Sequence, residues 1–218
     1  MLKKINTKFK RIAQKTKNEY NNKASKNIHF NRLQELVGES ANCPSTSNDP
    51  REKLFIYDEV CSHIETGYCL EVGSYLGSSS IMIAEALKRN EKGEKLFCID
   101  TWQNDAMSEG KRDTFDTFQQ NIKPWCDLIT PIRGKSQEVE IQTSVLYDVV
   151  FIDADHSYEG CKADVRKFSP LVREGGCLML DDHISFPGVT RVVGELLTSG
   201  VWYVGASYIN LIALYKDE

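Results

Sequence analysis

The chain has 218 residues, 41% of them apolar and 27% charged, with a net charge of −4. This is an ordinary globular composition, and the length suits a single domain with a substantial core. A mostly disordered chain, a fibrous repeat and a disulfide-stapled miniprotein are excluded.

Residues 1–27 carry nine Lys or Arg and one Glu, against 18 basic and 30 acidic residues in the remainder. The arm is basic and the body acidic, which argues against a nucleic-acid partner. Leu2, Ile5, Phe9 and Ile12 recur at helical spacing. With so few anchors, a solvated arm or a helix laid on the domain is favoured over a membrane-surface helix. The lysines are not followed by an apolar core, so no signal peptide is expected. Residues 38–51 read as a loop, so 1–51 is expected to be arm and linker and 52–218 the folded domain.

A helix follows, with Leu54, Phe55, Val60 and Ile64 as its apolar positions. From residue 67 short apolar runs alternate with amphipathic stretches. Strands are predicted over 68–73, 95–100, 129–133, 147–153 and 175–181. Helices are predicted near 78–90, 112–122, 136–143, 157–170 and 188–199. Two closing strands are expected at 201–206 and 209–215. This alternation means an α/β fold, doubly wound around a mostly parallel sheet. Ligands of such sheets bind at the carboxyl ends of the strands.

The seven cysteines form no C-x-x-C pair. Scattered free thiols suit a reducing, cytoplasmic setting, in which Cys packs as a small hydrophobe. No apolar run reaches the roughly 18 residues of a membrane span.

The strand ends are polar in a specific way. The first strand leads from Glu71 into Gly73-Ser74-Tyr75-Leu76-Gly77. A dinucleotide loop needs glycine where Tyr75 stands, which argues against a nicotinamide cofactor. Glu71 either faces a ligand amine or hydrogen-bonds its own loop. The second strand ends in Asp100-Thr101-Trp102. Asp100 suits a ribose diol, and Trp102 is either an apolar face for a purine or a core residue. Gly134-Lys135-Ser136 follows the third strand. The fourth and fifth strands end in Asp153 and in Asp181-Asp182. Three carboxylates at one sheet edge call for a cation, and oxygen donors suit Mg²⁺, Mn²⁺ or Ca²⁺. His156 and His183 flank this cluster, and either could serve as a general base. Asp155 or Ser157 is placed to cap the next helix.

LEVGSYLGSSS (70–80), FCIDTW (97–102), IRGKS (132–136), YDVVFIDADHSYEG (147–160) and VREGGCLMLDDH (172–183) resemble, in this order, the motifs of class I S-adenosylmethionine-dependent methyltransferases. The IDTW and IDADHSYEG forms look most like the methyltransferase domain 24 family, whose relatives include natural-product and sugar O-methyltransferases. The resemblance covers roughly residues 52–215. It implies a Rossmann-like seven-stranded sheet with the last strand antiparallel and inserted beside the fifth, preceded by an N-terminal helical extension. It implies S-adenosyl-L-methionine as cofactor, with Glu71, Gly73, Ser74 and Tyr75 around its methionine part and Ser79 and Asp153 also among its binding residues. Asp100 would hold the ribose, and Trp102 and Ser136 would lie near the adenine. Lys135 stands where many relatives have an acidic residue.

Similarity to metal-dependent, catechol-type O-methyltransferases implies Mg²⁺ at Asp153, Asp181 and Asp182. His156 then stands where those enzymes carry a lysine base. The expected activity is O-methylation of a small hydroxylated acceptor, sugar or polyphenol-like, assisted by the metal. The N-terminal segment and the loops 102–112 and 183–188 would line the acceptor pocket. A nicotinamide oxidoreductase and a non-catalytic cofactor-binding protein of the same fold are the alternatives. A homodimer stays open.

Overall fold

The structure, a computed structural model, describes residues 23–45, 49–90, 95–104, 110–141 and 144–217, with side chains from residue 27. The apolar positions at the chain start and residues 105–109 of the 102–112 loop lie outside the described residues.

Helix α1 (Lys23–Val37) leads through a 3-10 turn (Gly38–Asn42) to α2 (Pro50–His63). Then follow β1 (Tyr68–Val72), α3 (Ser78–Lys88), β2 (Lys95–Asp100), α4 (Phe115–Asn121), β3 (Ile129–Arg133) and β4 (Tyr147–Ile152). The chain ends with α5 (Tyr158–Phe168), β5 (Val172–Leu180), α6 (Pro187–Thr198), β6 (Trp202–Tyr208) and β7 (Leu211–Lys216). The seven strands form one sheet in the order β3-β2-β1-β4-β5-β7-β6. β7 runs antiparallel to both neighbours, β5 and β6, and sits beside the fifth strand as expected. No helix among the described residues is long and apolar enough to cross a membrane.

The apolar runs of β4 and β5 are continuous because both faces of the sheet are covered. Alternation then sorts their side chains. Val149, Phe151, Cys177 and Met179 join one core with Leu33, Leu54, Met82 and Phe118, beneath α1 to α4. Val150, Ile152, Leu178 and Leu180 join the other with Val165, Phe168, Val192 and Val193, beneath α5 and α6. Each such side chain contributes about 1.5–3 kcal/mol on burial.

Local signals set the helix starts. Asp49 caps α2 by accepting from the Arg51 N–H at 3.0 Å, and Pro50 stands in its first turn. Ser157 caps α5, accepting from the Gly160 N–H at 3.1 Å. Asp155 supports it by accepting from the Ser157 N–H.

Two expectations are corrected. The helix expected over 136–143 is not formed in its described part: residues 136–138 form a turn and 139–141 are irregular. Lys167 Nζ donates to the Ser136 and Val139 carbonyls, so helical N–H groups do not take them. Val139 and Ile141, two residues apart, both pack on the second core. Of the readings of the N-terminal segment, residues 27–45 match the helix laid on the domain, so the domain core begins before residue 52. Leu33, Val37, Ala41 and Cys43 are buried in the first core, because α1 lays its few apolar residues on α2.

Candidate active site

The carboxyl ends of β1, β4 and β5 meet the first turns of α2 and α3 around a cleft with about 560 Å³ of empty space. Gly73, Ser74, Tyr75, Ser79, Asp153 and Asp181 face it from the sheet side. Glu52 and Lys53 face it from α2.

The loop after β1 is held from beneath. The Gly73 N–H donates to the Ile99 carbonyl at 2.8 Å. Asp100 Oδ2 accepts from the Ser74 and Tyr75 N–H groups at 2.9 and 2.8 Å. Asp100 Oδ1 accepts from the Trp102 N–H at 2.7 Å. Asp100 therefore ties the ends of β1 and β2 together.

Glu71 is 0% exposed and does not line the cleft. Its Oε2 accepts from Ser74 Oγ at 2.7 Å, from Ser80 Oγ, and from Cys98 Sγ at 3.2 Å. Oε1 has no hydrogen-bond partner. Burial pushes this carboxyl above its usual range, against the pull of those donors. Of the two readings of Glu71, the geometry matches the loop brace, acting through hydroxyls.

Trp102 is 1% exposed. Its indole packs on Phe115 and Phe118, with centroids 4.9 and 4.7 Å away, and its Nε1–H donates to the Tyr75 carbonyl at 3.0 Å. The expectation of an open face for a purine is thus corrected: the ring is a wall of the core. Ser136 is half-buried at the turn after β3.

Beyond β4 the expected carboxylates divide. His156 Nε2 lies 3.2 Å from Asp153 Oδ1 and 3.5 Å from Asp182 Oδ2. Donor atoms of Asp153, His156 and Asp182 all fall within 4.8 Å of one another. Asp181 stands outside this group. It is a cleft-wall residue whose Oδ1 accepts from the Asp182 N–H at 2.6 Å. Burial first, then the Asp153 and Asp182 charges, push its carboxyl far up.

His156 is raised above its usual value, chiefly by its hydrogen bond to Asp153. Its ring packs on Phe186, which is 42% exposed. His183 is buried, with Nδ1 against the Asn210 carbonyl, and burial lowers its pKa. Of the two histidines, only His156 joins the carboxylates.

Three non-glycine residues at these strand ends have left-handed backbones: Tyr75 at φ 45°, Trp102 at 50° and Asp182 at 57°. Such strain costs about 1–3 kcal/mol per residue and gathers at functional sites. Sequence reasoning missed Glu52, Lys53 and Asn210, and reached Phe186 only as part of the 183–188 loop. Asn210, in the β6–β7 turn, donates from Nδ2 to Asp182 Oδ1 at 3.1 Å. No local signal marks Glu52, Lys53 or Asn210, because each reaches the site only through the packing of distant segments.

Residues 70–183 match the methyltransferase domain 24 family. The chain belongs to the class I S-adenosylmethionine-dependent methyltransferases of that family. No curated protein matches the sequence. The fold is similar to the O-methyltransferase NovP, with a TM-score of 0.65, 14% identity, and 85% of this chain and 88% of that one covered. It is similar to an O-methyltransferase from Bacillus cereus in complex with SAH, with a TM-score of 0.62, 16% identity and coverage of 87% and 91%. The N-methyltransferase NodS from Bradyrhizobium japonicum also aligns, with a TM-score of 0.54, 16% identity and coverage of 77% and 96%. These likenesses concern the fold, and the acceptor atom has to be argued from the site.

Proposed function

We propose that this methyltransferase is an O-methyltransferase of a small hydroxylated acceptor, with His156 as the proton acceptor. The observation that carries this reading is the position of His156 Nε2 between Asp153 and Asp182, beside the half-exposed Phe186 ring. A hydroxyl must lose its proton to become a good nucleophile. With Nε2–H donating to Asp153, neutral His156 can take it at Nδ1, and the two carboxylates stabilise the imidazolium. Phe186 offers an apolar surface for a sugar or polyphenol ring.

The cleft fits S-adenosyl-L-methionine, which when bound supplies a sulfonium methyl group. Gly73 leaves the backbone of the loop open. Gly77, with φ 91°, turns the chain into α3, so its first N–H groups face the loop. Ser74, Tyr75 and Ser79 line the methionine end, and Glu71 holds Ser74 in place. Asp100 keeps lone pairs for a ribose diol, since each oxygen can accept more than it does here. Ser136 stands at the adenine side. The role left to Trp102 is to anchor Tyr75.

The carboxylates of Asp153 and Asp182 also fit a divalent cation, Mg²⁺ or Mn²⁺ by their oxygen donors, with His156 left to take the acceptor's proton. Such an ion would supply Lewis acidity toward acceptor oxygens. Asp181, from the expected trio, would shape the cleft. Substitution at the methyl group is mainly a positioning task, and the buried loop braces serve it.

The test is calorimetric binding of S-adenosylhomocysteine, with and without Mn²⁺ or Mg²⁺, followed by turnover on a panel of hydroxylated acceptors. Binding by the wild type and turnover lost in His156→Ala, with binding kept, are the expected results. A metal signal lost in Asp153→Ala would support the assisted form. Folded protein that binds no cofactor, or a His156→Ala variant of full activity, overturns the reading.

A further inference from the structure

A second cluster of ligand-type side chains lies farther along α2, beyond the residues that face the cleft. Glu59 and His63 are four residues apart on α2 and so share one face. Cys177 lies on β5, in register with Tyr215 of β7. One donor atom from each of Glu59, His63 and Cys177 lies within 4.8 Å of the others.

The surroundings orient these donors. His63 Nδ1 is 2.8 Å from the Glu59 carbonyl oxygen. A carbonyl only accepts, so Nδ1 carries the proton and Nε2 keeps its lone pair. The Tyr215 hydroxyl donates to Glu59 Oε2 at 3.0 Å, and its ring meets the His63 ring at 4.5 Å. Outer partners of this kind fix the orientation of metal ligands. Cys177 is 0% exposed, whereas Glu59 and His63 are half-buried and give an ion a way in.

We propose that Glu59, His63 and Cys177 form a structural site for a thiophilic divalent cation, zinc by its chemistry, that clamps α2 to the central sheet. Thiolate, imidazole and carboxylate are the three donor classes zinc takes, in tetrahedral geometry. The fourth position falls to water from the exposed side. Binding converts the thiol to a metal thiolate and releases its proton to solvent. The Asp153–His156–Asp182 group contains no sulfur, so the two sites differ in kind. The clamp has a consequence for the cleft, because α2 also carries Glu52 and Lys53.

The test uses the full chain, stripped of metal and titrated with Co²⁺ alone. A thiolate ligand produces a sulfur-to-cobalt charge-transfer band. The expected result is a band saturating at one equivalent, abolished by Zn²⁺, lost in Cys177→Ala and kept in His156→Ala. Zn²⁺ should raise the melting temperature of the wild type and not of Cys177→Ala. Should Cys177→Ala fail to fold, Glu59→Gln keeps the thiol and is expected to weaken Co²⁺ binding about tenfold or more. Folded wild type without the band, a band that survives in Cys177→Ala, or unchanged affinity in Glu59→Gln overturns the proposal.

Discussion

The carbonyl oxygen of Asp153 occupies the place that a side chain at Gly73 would need: an ideal Cβ there would lie 1.9 Å from it. Gly73 also has φ 90°, a conformation other residues adopt only at a cost. The first loop and the fourth strand end can meet only if residue 73 has no side chain. Gly73→Ala is therefore expected to part them, abolishing S-adenosylhomocysteine binding and lowering stability by about 2 kcal/mol or more. Calorimetry and urea unfolding would show it. A variant that binds and unfolds like the wild type would refute this account of the glycine.

Asp164 on α5 is fully buried, and burial pushes its carboxyl to about 6. An acid raised in the folded state binds its proton more tightly there than when unfolded. Its contribution to stability is present below about pH 4 and lost as pH rises toward 6. Asp164→Asn should remove that loss and still accept from Gln137 Nε2, which lies 2.8 Å from Asp164 Oδ1. The expected gain at pH 7.5 is on the order of 1–3 kcal/mol, read from unfolding midpoints between pH 4 and 8. Equal midpoints in variant and wild type across that range would sink the idea.

His156 is raised in the folded state, so it stabilises the metal-free protein below its ordinary value and ceases to do so as pH climbs through the raised one. An NMR titration of its ring is expected to show a midpoint above 6.5. The midpoint should fall in Asp153→Asn and, by less, in Asp182→Asn, since the hydrogen bond to Asp153 is the larger cause. Saturating Mn²⁺ or Mg²⁺ should oppose the protonation. A midpoint indifferent to both substitutions would contradict the geometry.

Asp148 is a structural counterpart at the opposite end of the sheet. It is fully buried and accepts from the Glu65, Thr66 and Gly67 N–H groups and from Arg173 Nε at 2.7 Å. Removing the carboxylate would leave a guanidinium and three amides with fewer partners. Asp148→Ala is expected to cost about 3–5 kcal/mol, measured by denaturant unfolding, with cofactor affinity unchanged in the fraction that stays folded. A loss below 1 kcal/mol would show that water replaces these bonds.

Much of the fold was legible because a doubly wound sheet writes a strong pattern: buried runs such as Val149–Ile152 between amphipathic stretches, each run ending in polar residues. Ser157 marked a helix start through chemistry that acts within one turn. The segment 136–143 misled because its apolar residues pack by contact with α5 rather than by helical period. Leu33 and Val37 were hidden between the basic segment and the loop-like stretch after it, where two buried side chains leave little trace in composition.

The sequence by itself determined the series of strands and helices, the carboxylates at the strand ends and the family to which the chain belongs. Those properties follow from periodicity and local motifs. Only the tertiary structure decided which side chains converge. Asp181 and Asp182 are neighbours in the chain, yet a left-handed backbone at Asp182 sends one carboxylate to His156 and leaves the other in the cleft wall. Trp102 became a core residue because Phe115 and Phe118 cover it. Glu59, His63 and Cys177 meet only because α2 packs across β5, some 114 residues further along the chain from His63. Such meetings depend on long-range packing and on single backbone angles, and neither has a signature within a short stretch of sequence.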